Sequence, residues 1–130
     1  VIELVSILTK TVLIVEDEVD TAEMLAEMMK ISGYEVIKSY GGKQAISMIS
    51  SKKPDVVVLD LMMPEFSGLD VLNFMRRDPR LDHIPVVIVS ARNIDEDVQN
   101  CLDAGASCFL SKPVSFEEIK GAVETSIVNR

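Results

Sequence analysis

The sequence predicts an α/β fold, a doubly wound parallel sheet of five strands built from five βα units. Three observations carry this. Five short runs rich in Val and Ile recur between residues 10 and 130. Three of them show no in/out alternation, as expected of strands buried on both faces of a parallel sheet. Segments with helical apolar spacing separate the runs. The strand starts fall about 20–30 residues apart, the spacing of βα units joined by crossover helices.

The elements follow in order. The first run is TVLIV, residues 11–15, and Glu16-Asp17-Glu18 follows it. Ala22, Leu25 and Met29 then recur at i, i+3 and i+7, and Gly33 stands where a C-terminal cap belongs. The second run, YEVIK at 34–38, leads to Ala45, Ile46 and Ile49. The third, DVVVL at 55–59, ends on Asp60; a turn shaped by Pro64 and Gly68 precedes Val71, Leu72 and Met75. The fourth, PVVIV at 85–89, ends on Ser90, and the next helix carries Val98, Cys101 and Leu102 before Gly105. The fifth, SCFL at 107–110, runs into Ser111-Lys112-Pro113. Ser115 and Glu118 then make a capping box for a helix with Phe116, Ile119, Val123 and Ile127 on one stripe.

Residues 10–130 form the one domain, and 130 residues suffice for a proper core. Residues 1–9, VIELVSILT, precede it as an N-terminal extension or linker. Val1, Leu4, Val5 and Leu8 have helical spacing there, so the end of an upstream linker helix is the expectation. The chain starts without Met, which fits a piece of a longer or processed protein.

A net charge of −8 would repel phosphates, so nucleic acid is not expected as a direct partner. No apolar run approaches the ~20 residues that span a bilayer, and no signal-peptide pattern is present. Cys101 and Cys108 fall in apolar surroundings and are expected as free buried thiols, in keeping with a cytoplasmic location.

The polar residues cluster by strand end. In an open α/β sheet, ligands bind outside the carboxyl ends of the strands, where strand order reverses. With sheet order 2-1-3-4-5, strands 1, 3, 4 and 5 are neighbours, and Glu16, Asp17, Asp60, Ser90 and Lys112 gather on one rim. Each has a plainer explanation alone. Asp60 could start a turn, Ser90 cap a helix, the acidic group favour a helix dipole and Lys112 lie in solvent. Jointly these do not explain three carboxylates, a hydroxyl and an ammonium on four adjacent strand ends.

The motifs VLIVEDE, VVVLDLMMPEFSGLDVL, PVVIVSA and GASCFLSKPV, in this order and spacing, resemble a response-regulator receiver domain, the CheY-like phospho-accepting part of two-component signalling. The resemblance covers about residues 10–130 and implies the flavodoxin-like receiver fold. It implies that Asp60 is the phosphoacceptor, taking a phosphoryl group from the phosphohistidine of a sensor histidine kinase or phosphotransfer domain. Asp17, Asp60 and the backbone carbonyl of Met62 would bind Mg²⁺ directly, with Glu16 acting through a water. An all-oxygen site also suits Mn²⁺. Lys112 and Ser90 would hold the phosphoryl oxygens, with Ser90 and Phe109 as the switch pair and a cis bond between Lys112 and Pro113 aiming the ammonium inward. Such a domain is a signalling module rather than an enzyme, catalysing only its own phosphorylation and dephosphorylation. The face made by helix 4, strand 5 and helix 5, roughly residues 95–128, would carry binding of a downstream protein.

Some features depart from the commonest pattern. Glu16 stands where Asp is usual, Ser90 where Thr is frequent, and Phe109 has no hydroxyl. Met62 and Arg92 occupy the two positions flanking the path of a hydrolytic water. Met62 would cover the phosphoryl group, while Arg92 would hydrogen-bond either the phosphoryl oxygens or a nearby acid. His83, the only histidine, lies in a polar loop and has no ligand-spaced partner. Three rival functions share parts of this pattern. A flavodoxin-like electron carrier needs a phosphate-cradling turn after strand 1, where Glu-Asp-Glu would repel a flavin phosphate. A haloacid-dehalogenase-type phosphatase needs a second Asp at the position of Met62. A degenerate receiver acting only as an interaction module would not need the complete acid, hydroxyl and lysine set. The cognate kinase, the output and the choice between a stand-alone regulator and part of a hybrid kinase are not legible.

Overall fold

A computed structural model describes residues 9–129. The helical spacing expected across Val1 to Leu8 lies outside the described residues. The strands are β1 (Thr11–Val15), β2 (Glu35–Ser39), β3 (Val56–Asp60), β4 (Val86–Ser90) and β5 (Cys108–Ser111). The helices are α1 (Val19–Ile31), α2 (Gly42–Lys52), α3 (Gly68–Arg77), α4 (Asp95–Asp103) and α5 (Phe116–Val128). All strand pairs are parallel and the sheet order is β2-β1-β3-β4-β5.

The apolar runs end up between two layers of helices. Leu13, Val57, Leu59 and Ile88 pack with Ala45 and Ile49 of α2, Val71, Leu72 and Met75 of α3, and Cys101 of α4. Val12, Ile14, Val58 and Val87 face the other way, onto Ala22, Leu25 and Met29 of α1 and Ile119 and Val123 of α5. Successive strand residues point to opposite faces, so a strand covered on both sides must be apolar at every position. β3 and β4 are buried throughout, and each buried Val, Leu or Ile contributes about 1.5–3 kcal/mol.

The helix stripes lie where the spacing puts them, with local differences. Leu102 is exposed, whereas its neighbour Cys101 is buried. On α5, Phe116 and Ile127 are half-buried and Ser126 takes a buried position. Gly33 and Gly105 adopt φ of +98° and +102°, the left-handed conformation of a C-terminal cap. Ser115 accepts from the Glu118 N–H while Glu118 accepts from the Ser115 N–H, so the expected capping box forms. Both cysteines are free and lie against opposite faces of the sheet, Cys101 buried as expected and Cys108, on the edge strand β5, only half-buried. Burial pushes both thiols up, with the Asp97 charge adding to the effect at Cys101.

Four strands sit one residue further along than the apolar runs. The ladder continues through the polar residue that ends each run: Asp60 pairs in register with Val89, and Ser90 with Ser111. Asp60 and Ser90 are therefore held by sheet hydrogen bonding.

Candidate functional site

The carboxyl ends of β1, β3, β4 and β5 meet at one rim. Glu16 follows β1 directly, and its N–H donates to the Ser39 carbonyl at the end of β2 (3.0 Å). It is almost fully buried, and Asp17 beside it is exposed. Asp60 closes β3 with 5% exposure, and Ser90 closes β4 fully buried. The Lys112 N–H donates to the Ser90 carbonyl (2.9 Å), and the Lys112–Pro113 bond is cis, as expected. Lys112 Nζ lies 2.6 Å from Glu16 Oε1 and 3.6 Å from Asp60 Oδ1. The rim thus unites all five residues singled out in the sequence.

Glu16, Asp17 and Asp60 each offer a carboxylate oxygen, and these oxygens lie within 4.8 Å of one another. Partial burial raises the Asp17 pKa above its ordinary value. A hydrogen bond to Glu16 and the Glu16 charge raise it further, outweighing the opposing effects of its own backbone and Lys112. Burial alone would lower the Lys112 pKa. The Glu16 hydrogen bond and the charges of Asp60 and Glu16 outweigh it, so the pKa is raised and the ammonium stays charged at neutral pH. One ammonium does not neutralise three carboxylates. The oxygen-only donor set and the repulsion felt at Asp17 fit a hard divalent cation such as Mg²⁺ or Mn²⁺. Glu16 is the least available donor, because Oε1 is held by Lys112 and Oε2 accepts the Glu18 N–H (3.2 Å).

The loop after β3 is built tightly against Asp60. The Met62 N–H donates to Asp60 Oδ1 (3.2 Å), while the Met62 side chain is 52% exposed. The Phe66 N–H donates to the Pro64 carbonyl (2.7 Å), around Glu65 at φ +65°. A Cβ on Gly68 would stand 2.2 Å from the Asp60 carbonyl oxygen, so only glycine permits this approach. Ser67 and Asp70 form a capping box that starts α3 there. Its Ser-x-x-Asp pattern is a local sequence signal of a helix start.

On the other wall, Ser90 Oγ accepts the Arg92 N–H (3.1 Å), and Asn93 Nδ2 donates to Ser111 Oγ (2.8 Å). Arg92 Nε lies 2.8 Å from Asp97 Oδ2, so Arg92 pairs with a nearby acid, the second of its two expected roles. Phe109 is half-buried in β5 against the core cluster that holds Cys101. His83 is exposed at the opposite end of β4 from Ser90. A groove of about 580 Å³ between β5 and α5 includes none of the rim carboxylates. The chemistry sits on an open rim.

The profile described as "Response regulator receiver domain" matches residues 12–124. The chain belongs to the response regulator receiver domain family. Among curated relatives, the polar-differentiation response regulator DivK of Brucella ovis is 34% identical over 108 residues, covering 83% of this chain and 88% of DivK. The receiver domain of Francisella response regulator 1452 superposes with a TM-score of 0.86 at 27% identity, covering 93% of this chain and 98% of that one. The signal receiver domain of a signal transduction histidine kinase from Syntrophus aciditrophicus gives 0.85 at 28% identity, covering 93% and 92%. Receiver domains similar to this one thus occur in response regulators and in histidine kinases. Membership in the receiver family displaces the flavodoxin-like and phosphatase alternatives. Among the described residues no helix is long and apolar enough to cross a membrane.

Proposed function

We propose that this receiver domain accepts a phosphoryl group on Asp60 from a phosphohistidine of a sensor histidine kinase or phosphotransfer domain, and so switches its binding to a downstream protein. The observation that carries the proposal is the position of Lys112 Nζ between Glu16 and Asp60, on a rim that also holds Asp17 and the Ser90 hydroxyl. A degenerate interaction module would not require this full set.

In the transfer, an Asp60 carboxylate oxygen attacks phosphorus. An O–P bond forms, the P–N bond to the donor imidazole breaks, and its electron pair returns to the ring nitrogen. Both Asp60 contacts described above are to Oδ1, which leaves Oδ2 as the attacking oxygen. Lys112 and the Ser90 hydroxyl then stabilise the transferred oxygens, so catalysis is mainly positioning and charge compensation. Asp17, Asp60 and the Met62 carbonyl would hold Mg²⁺ or Mn²⁺, with Glu16 acting through a water; the ion would supply positive charge against the phosphoryl group. The domain catalyses only its own phosphorylation and dephosphorylation. The Ser90 hydroxyl donates its own proton to the phosphoryl group while its oxygen still accepts the Arg92 N–H, so its movement toward that group would draw the loop into α4 with it and let Phe109 follow, altering the α4-β5-α5 face.

Binding of beryllofluoride, a phosphoryl mimic, tests this by fluorine NMR. A bound signal that needs Mg²⁺ and vanishes in Asp60→Asn is expected. An equal signal in Asp60→Asn would contradict the assignment.

A further inference from the structure

Lys112 is not shared evenly between its two carboxylates. Its 2.6 Å contact with Glu16 is a charge-assisted hydrogen bond, and its 3.6 Å approach to Asp60 lies beyond hydrogen-bond range. Glu16 is a built anchor. Its backbone N–H is tied to Ser39, its Oε2 accepts the Glu18 N–H, and its side chain is 2% exposed. Burial strengthens the ion pair and makes an unpaired Glu16 costly. The backbone of Lys112 is fixed by its bond to the Ser90 carbonyl, but its four-carbon stem allows the ammonium to pivot between the two acids.

We propose that Glu16 is the resting anchor of Lys112 and competes with the phosphoryl group for its ammonium, a positioning residue that sets how tightly the phosphorylated state is held. The proposal rests on the phosphoacceptor assignment above. Loading Asp60 roughly doubles the negative charge there. The ammonium is drawn off Glu16, which then loses its direct partner and keeps only its water-mediated contact with the bound ion. That loss opposes the phosphorylated state and favours the resting one. An Asp at this position is one methylene shorter and keeps the charge, but it no longer reaches Lys112 as Glu16 does.

Two measurements on Glu16→Asp test this. In resting wild type, the Lys112 ammonium is expected to give a slowly exchanging nitrogen–proton NMR signal, which is lost or strongly shifted in Glu16→Asp. At saturating Mg²⁺, beryllofluoride should bind Glu16→Asp at least about tenfold more tightly, the low end of the scale of one charge-assisted hydrogen bond no longer given up. Mg²⁺ affinity is titrated separately on the resting protein, so that a change in ion binding is not counted as competition. Glu16→Gln, which keeps the length and loses the charge, should also bind the mimic more tightly than wild type once Mg²⁺ saturates. An unchanged ammonium signal, or unchanged or weaker beryllofluoride binding in Glu16→Asp, overturns the proposal. A wild type that binds no beryllofluoride overturns the phosphoacceptor assignment and the competition with it; the ammonium signal then decides the anchoring alone.

Discussion

Met62 and Arg92 flank the same rim but are held differently. Met62 is more than half exposed beside Asp60, so its flexible apolar chain is available to cover a phosphoryl group. Arg92 is committed to Asp97 in the first turn of α4. A water must approach phosphorus in line for the acyl phosphate to hydrolyse, and Met62 cannot orient one. Met62→Asn is therefore expected to speed decay by up to roughly tenfold, about 1.4 kcal/mol of barrier. Arg92→Ala should change it less, because its guanidinium already has a partner. Intact mass followed after donor removal measures both rates. Slower decay in Met62→Asn would rule out shielding.

The elements are tied to the rim by contacts that differ in how far they could be read from the sequence. Helix stripes and glycine caps are local signals, and they lie where the spacing put them. The apolar runs end one residue before the strands do, because hydrophobicity stops at Leu59 and Val89, whereas the hydrogen-bond ladder runs on through Asp60 and Ser90. The rim itself was legible because the sheet order converts four distant strand ends into neighbours. The Lys112–Glu16 pairing was not, since nothing local in a chain separation of 96 residues says which acid the ammonium prefers. The role of Arg76 is likewise not local. Its guanidinium donates to the Gly105, Asp82 and Ile84 carbonyls and fastens the end of α3 to the turn before β5. A basic residue in the last turn of a helix reads only as a favourable dipole contact. Arg76→Ala should cost about 1–2 kcal/mol in urea unfolding, because the part-buried bond to the Ile84 carbonyl and the exposed ones to Gly105 and Asp82 lose their charged donor. Gly68→Ala should cost about 3 kcal/mol, since its Cβ meets backbone at Asp60. Wild-type stability in either variant would contradict the role given to that contact.

Across the whole molecule, burial sets the central strands apart from the loop that leaves the rim. The central strands are buried on both faces, while the loop from Ser90 into α4 is exposed and held mainly by Arg92 and Asn93. Signal is therefore expected to leave the rim through that loop. Amide hydrogen exchange with and without beryllofluoride should change across residues 91–111 and into α5, with β1 and β3 unaltered. Changes confined to residues 60–68 would contradict this route.

The signalling role rests on Asp60 being the one acceptor. Intact mass after treatment with acetyl phosphate, with and without Mg²⁺, decides it. One phosphate adduct is expected in wild type, only with the metal present, and none in Asp60→Asn. An adduct of equal yield in Asp60→Asn would contradict the account.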